Sequence, residues 1–117
     1  MLPKEHRLTS SRDFEIVYKR GKGYVNRLLV LRVLWREESQ PARFGFSTSP
    51  KIGSSAARNR VKRQIREAVR SLLGEIKKTG FDAILVGRPA IKEANFWSIR
   101  DAARQLFEEA GLLRERS

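Results

Sequence analysis

Residues 51–70 read KIGSSAARNRVKRQIREAVR, and two interleaved periodicities run through them. Small or apolar residues recur at Ala57, Val61, Ile65, Val69, Leu72 and Ile76, at steps of three or four. That spacing marks one face of an amphipathic helix. Arg58, Lys62, Arg66 and Arg70 form a second stripe at steps of four, widened by Arg60 and Arg63, with Asn59 beside it. One face suits a core. The other is a ladder of guanidinium and ammonium groups, for which evenly spaced phosphates are the natural partner. The run holds seven cations and one acid, Glu67. Ser54 or Ser55 is the expected N-cap. The helix should end near Lys77 or Lys78, with Gly80 just past it.

Working outward, Ser10 or Ser11 can cap a shorter helix through residue 20, with Phe14, Val17 and Tyr18 on one face and Gly21 and Gly23 stopping it. Residues 28–35 read as a strand, with Leu29, Leu31, Val33 and Trp35 on one face and Leu28, Val30, Arg32 and Leu34 on the other. Residues 43–49 read as a second strand, and the polar turn between the two suggests a hairpin. FDAILVG at 81–87 is apolar on both faces, as a central strand would be. Asn95 or Ser98 opens a last helix through Ile99, Ala103, Leu106, Phe107 and Ala110. The sum is one α+β domain over 1–117, helices on a small sheet, with residues 1–8 and 113–117 prone to fray.

The chain has 117 residues and a formal net charge of +12. Such a balance calls for a polyanionic partner, nucleic acid first and an anionic membrane surface second. Arginine outnumbers lysine about two to one, which favours bidentate phosphate or base contacts. There are no cysteines, so disulfides, thiolate zinc sites and cysteine nucleophiles are excluded. The N-terminal stretch has no apolar core of a signal peptide, and no run approaches the roughly 20 residues needed to cross a bilayer. A soluble cytoplasmic protein without a membrane partner is expected.

Side chains for chemistry are scarce. His6 is the only histidine and sits in a polar terminal segment, where a surface role is the ordinary one. The carboxylates are scattered, with no D-x-D or paired cluster of the kind that holds magnesium. Lys51-Ile52-Gly53-Ser54 lacks the first glycine of a phosphate-cradling loop. No catalytic side chain and no metal site of the protein's own are expected.

The run from Ser49 to Glu67, SPKIGSSAARNRVKRQIRE, resembles the signature of the bacterial ribonuclease P protein component, above all in Arg58-Asn59-Arg60 followed by Lys62-Arg63 and Arg66. His6-Arg7-Leu8, Asp13-Phe14, Val17-Tyr18-Lys19, Gly21, Asn26-Arg27 and Arg43-Phe44-Gly45-Phe46-Ser47 also match, so the likeness spans roughly residues 5 to 110. The resemblance implies a small, mostly antiparallel four-stranded sheet with three helices, akin to the second domain of ribosomal protein S5, with a left-handed βαβ crossover around the long helix. That handedness goes against the usual preference. It implies a protein that assists a large catalytic RNA in removing the 5′ leader of precursor tRNA, one protein per RNA, with Mg2+ and the scissile phosphate held by the RNA. It assigns the catalytic-RNA contact to Lys51, Arg58, Asn59, Arg60, Lys62, Arg63 and Arg66. It assigns the leader to a cleft with Phe14 and Tyr18 on the helix and Val30 and Arg32 on the floor, where rings can stack on unpaired bases. Arg32 departs from the aromatic that many relatives carry there, and Pro50 stands where relatives often have a basic residue.

A ribosomal or ribosome-assembly RNA-binding protein of similar fold would use the same charge and helix, but the spacing over 51–67 and the Phe14/Tyr18 pair count against it. A protein nuclease with its own metal site would need clustered carboxylates.

Overall fold

A computed structural model of the chain describes residues 2–114. In chain order the elements are α1 (Ser11–Arg20), β1 (Lys22–Val25), β2 (Leu29–Trp35), β3 (Arg43–Thr48), α2 (Ser55–Leu72), β4 (Phe81–Gly87) and α3 (Phe96–Glu109). The strands form one four-stranded sheet in the order β1-β2-β4-β3. β1–β2 and β2–β4 are antiparallel, and β3–β4 is parallel. The sheet is therefore mostly antiparallel, and α2 is the crossover that a parallel neighbour requires.

Three local expectations are corrected. β2 and β3 do not form a hairpin, because β4 lies between them. β4 is buried on both faces, whereas β3 is half-exposed over most of its length, so the strand best buried on both faces takes the centre. The turn after β2 is instead tied to the segment entering β4. The Arg36 N–H donates to Gly80 O (2.7 Å), Gly80 N–H to Gln40 O (2.9 Å) and Ala42 N–H to Lys78 O (2.8 Å).

Secondly, Gly21 does close α1, its N–H donating to Val17 O at 2.8 Å, but Gly23 lies inside a strand, β1, that pattern reading missed. Thirdly, α2 ends at Leu72 and a single 3-10 turn, Leu73–Glu75, follows. Gly74 in that turn is a poor helix former. Ile76 remains buried, but as an extended residue bridging Leu113, and Lys77 and Lys78 lie outside the helix. Gly80, at φ +93°, turns the chain into β4 and is not the helix cap.

The main core fills one side of the sheet. Leu29, Leu31 and Val33 of β2, Phe44 of β3 and Phe81, Ala83 and Leu85 of β4 meet Val61, Ile65, Val69 and Leu72 of α2 and Ile99, Ala103, Leu106 and Phe107 of α3. Each large side chain buried there contributes about 1.5–3 kcal/mol. Phe44 sits edge-on to Phe81 (5.6 Å) and Phe107 (6.2 Å). The other side is covered by α1 and the segment before it, through Val17 and Leu8, which meet Ile84 with Phe14, Leu34 and Val86 around them. Leu2 is buried in the main core and Leu113 bridges Ile76, within stretches where the sequence suggests fraying; residues 1 and 115–117 lie outside the described residues.

Candidate nucleic-acid interface

The start of α2 is built by local chemistry. Ser49 accepts the Lys51 N–H (3.2 Å), closing a short 3-10 turn, Pro50–Ile52, whose Ile52 is buried. Gly53 follows at φ +128°, a conformation that a side chain would strain. Ser54 is the N-cap and accepts the Ala57 N–H at 3.2 Å. Lys51 is thereby held, exposed, at the positive end of the helix dipole, where anions are favoured.

Along α2 the apolar stripe is buried as expected and the cations face away from it. Asn59, Arg60 and Arg63 are exposed, while Arg58, Lys62 and Arg66 are half-buried. Among the described residues only Arg70 of this row pairs with a carboxylate, Glu67 at 3.6 Å. Arg58 reaches no further than Ser55 Oγ, at 3.4 Å. Like charges at four-residue spacing, left without internal partners, weaken an isolated helix. An external polyanion would reverse that cost.

Lys62 and Arg66 lead to the outer edge of β3. There a depression of about 440 Å³ is lined by both of them together with Phe14, Phe46, Thr9 and Leu8. The Arg66 guanidinium stands 5.5 Å from the centre of the Phe46 ring, a cation–π contact that holds the charge at the rim. Lys62 and Arg66 of the cationic row and Phe14 of α1 thus line one concavity, whereas Tyr18, Val30 and Arg32 are not part of its lining. Phe46 and Thr9 were not singled out as site residues. In the sequence Phe46 stands out only as part of the second strand and of the family match, and nothing local says that α2 flanks it.

Phe14 and Tyr18 lie one turn apart, their ring centres 6.4 Å apart and tilted by 50°. Phe14 is half-buried over Gly45, where a Cβ would come within 2.5 Å of its ring. Tyr18 is 41 % exposed. Val30 is half-buried on the sheet face that α1 covers. Arg32 shares that face, but its guanidinium is engaged. Nη2–H donates to the backbone carbonyls of Tyr18 (2.6 Å) and Gly21 (2.8 Å), so Arg32 holds the end of α1 onto β2. In the structure Nη2 thus ties the end of α1 to β2, while the Arg32 Nε–H is buried without a partner.

The start of α1 is fixed by a second device. Asp82, 3 % exposed, accepts from Arg43 through Nε (2.9 Å) and Nη2 (2.8 Å) and from Arg36 Nη1 (3.1 Å). Arg43 also reaches Asp13 Oδ2 of α1 at 3.2 Å. The hydrogen bond to Asp82 holds the Arg43 guanidinium above its ordinary pKa, against the opposing effect of burial. Asp82 is therefore a structural counterion and Asp13 an anchor for Phe14 next to it. His6 has Nδ1 within hydrogen-bond distance of the Ala42 carbonyl, which places its proton there and gives it a structural task. Among the described residues no three His, Asp or Glu side chains gather as metal ligands, and no helix is long and apolar enough to cross a membrane.

Comparison with known proteins gives a consistent result. The family model described as Ribonuclease P matches residues 2–111. The ribonuclease P protein component of Symbiobacterium thermophilum is 38 % identical over 112 residues, covering 96 % of each chain. The solved RNase P protein of Staphylococcus aureus superimposes with a TM-score of 0.79 at 27 % identity, over 95 % of this chain and 100 % of that one. That of Thermotoga maritima gives 0.77 at 30 % identity, over 88 % and 96 %.

Proposed function

Since this chain belongs to the ribonuclease P protein family, we propose that it binds the catalytic RNA of that enzyme through α2 and the 5′ leader of precursor tRNA beside α1. Membership makes it the protein component of the ribonuclease P endoribonuclease, which matures tRNA 5′ ends. The finer reading rests on one observation. Lys62 and Arg66 of α2, which have no carboxylate partner among the described residues, and the aromatic Phe14 of α1 border the same depression at the β3 edge.

In this reading Lys51, Arg58, Arg60, Lys62, Arg63 and Arg66 neutralise phosphates of the catalytic RNA, and exposed Asn59 hydrogen-bonds at the same surface. Phe14 and Tyr18 offer rings to unpaired leader bases, each worth about 1–3 kcal/mol, over a floor that includes Val30. Arg32, Arg43 and Asp13 keep α1 where those rings can be reached. The chemistry is carried by the RNA, which holds the Mg2+, and the protein supplies positive charge that would otherwise come from extra cations. One protein per RNA, acting in the cytoplasm, fits this division of labour.

The test is cleavage of precursor tRNA by a bacterial catalytic RNA at low magnesium, with and without the protein. Rescue is expected, with loss of rescue in Arg60→Ala/Arg63→Ala. No rescue by the wild type with a matched RNA would overturn the reading in favour of a ribosomal-type RNA binder.

A further inference from the structure

At the end of the sheet remote from the cationic ladder lies a second concavity of about 700 Å³, bordered by Trp35, Arg36, Glu38, Lys77, Lys78 and Arg114. The strand register places it. Trp35 faces Phe81 at the start of β4, whereas α2 brings Val61 and Ile65 against Gly87 at the other end. Six residue steps of strand separate the two ends, roughly 20 Å.

Several features set this concavity apart from ordinary charged surface. Trp35 is 53 % exposed although its indole is fixed edge-on to Phe81 at 5.9 Å, so one part is held by the core and the rest is open. Four cations border the concavity and one acid, Glu38. Arg36 is committed to Asp82 and Gln40. Lys77 and Lys78 are exposed and have no carboxylate partner among the described residues. The backbone beneath is pinned, Lys77 N–H to Leu112 O (2.8 Å), Ala42 N–H to Lys78 O (2.8 Å) and Arg114 N–H to Glu75 O (2.7 Å). A rigid, half-exposed indole beside two lysines that lack a carboxylate partner among the described residues matches a base stacked on its face with phosphates on either side.

We propose that this concavity is a second RNA contact, taking an unpaired nucleotide whose base stacks on Trp35 while Lys77, Lys78 and Arg114 pair with the flanking phosphates. It rests on the RNA-binding reading above and extends it to a surface that the α2 ladder does not reach. The nucleotide belongs either to the catalytic RNA or to precursor tRNA, which present the same chemistry here.

The chain has two tryptophans, so Trp97→Phe leaves Trp35 as the only reporter. This variant is titrated with catalytic RNA alone, and the resulting complex is then titrated with precursor tRNA. Trp35 emission is expected to fall on stacking. A fall with catalytic RNA alone assigns the nucleotide to that RNA; a fall only after tRNA addition assigns it to the substrate. Lys77→Ala/Lys78→Ala, which removes only exposed side chains, should flatten the log–log salt dependence of the same binding step by about 1.4–1.8. Unchanged emission with both RNAs, or an unchanged salt slope in the lysine variant, overturns the second contact. If Arg60→Ala/Arg63→Ala still weakens binding in that case, the proposed function stands without it. If the wild type binds neither RNA, both fall together.

Discussion

Replacing Arg43 by methionine takes the main counterion from a carboxylate that has almost no access to water. The Asp82 side chain is 4 % exposed. Arg43 supplies two of its three charged hydrogen bonds, at 2.9 and 2.8 Å, and Arg36 supplies the third at 3.1 Å. Removing one partner of a buried pair costs about 3–5 kcal/mol. Arg36 remains, so the lower part of that range applies. The lost link from Arg43 to half-exposed Asp13 adds about 0.2–1 kcal/mol. A total loss of about 3–4 kcal/mol is expected, a fall in Tm of roughly 12–16 °C for a chain of this size. Urea unfolding followed by circular dichroism measures it, with the m-value as the check on two-state behaviour. Arg43→Met/Asp82→Asn should recover at least half of the loss, since a neutral amide no longer demands a counterion. Arg43 has its pKa raised in the folded state, so the stability it contributes is fully present below the unfolded value and lost only as pH rises through the still higher folded value. Its ionisation should therefore leave the wild-type-to-Arg43→Met gap constant from about pH 6 to 9. A loss below about 1 kcal/mol, or a double variant no more stable than the single one, would refute the account of Asp82 as a buried structural counterion.

Other outcomes follow from the same geometry. Gly87→Ala would place a Cβ 2.9 Å from Val61 and 3.2 Å from Ile65, and should lose about 1–2 kcal/mol net of the entropy gained in the unfolded chain; an unchanged urea midpoint would show that α2 can shift freely. Phe14→Ala should weaken binding of precursor tRNA to the ribonucleoprotein by about 1–3 kcal/mol, and leave leaderless tRNA unaffected; equal losses on both substrates would remove the leader from this helix. Binding to catalytic RNA should follow a log–log salt slope of roughly −4 to −5, and Arg60→Ala/Arg63→Ala should reduce its magnitude by about 1.4–1.8. A slope near zero in the wild type would contradict the phosphate ladder. Arg32→Met should lower stability by about 1–3 kcal/mol through the two lost carbonyl contacts while leaving that slope unchanged. A change in slope without a loss of stability would mean that Arg32 meets phosphate after all.

The residues legible in the sequence are those whose meaning is local. Val61, Ile65, Val69 and Leu72 repeat with the helical period and are buried; Ser54 caps the helix they define; Phe14 and Tyr18 share a face because they lie four apart. The net charge of +12 and the row of cations opposite the apolar stripe also depend on nothing beyond the chain itself. Periodicity and charge are one-dimensional properties, and they survive without knowing which segments meet. Strand pairing is not of that kind. That β4 enters between β2 and β3 depends on which strand is best buried on both faces, a comparison across more than 30 residues of chain. The same choice puts Asp82 beside Arg43, turning an isolated acid into the counterion that anchors α1. It brings Lys62, Arg66, Phe46 and Phe14 to one edge, and Trp35 to the lysines that follow α2. The sequence by itself determined the amphipathic helix, its charge and the family pattern it carries. The tertiary structure decided which side chains are free to meet a ligand and which, like Arg32, are bound to the protein's own backbone, because only close packing brings distant donors and acceptors within 3 Å of each other.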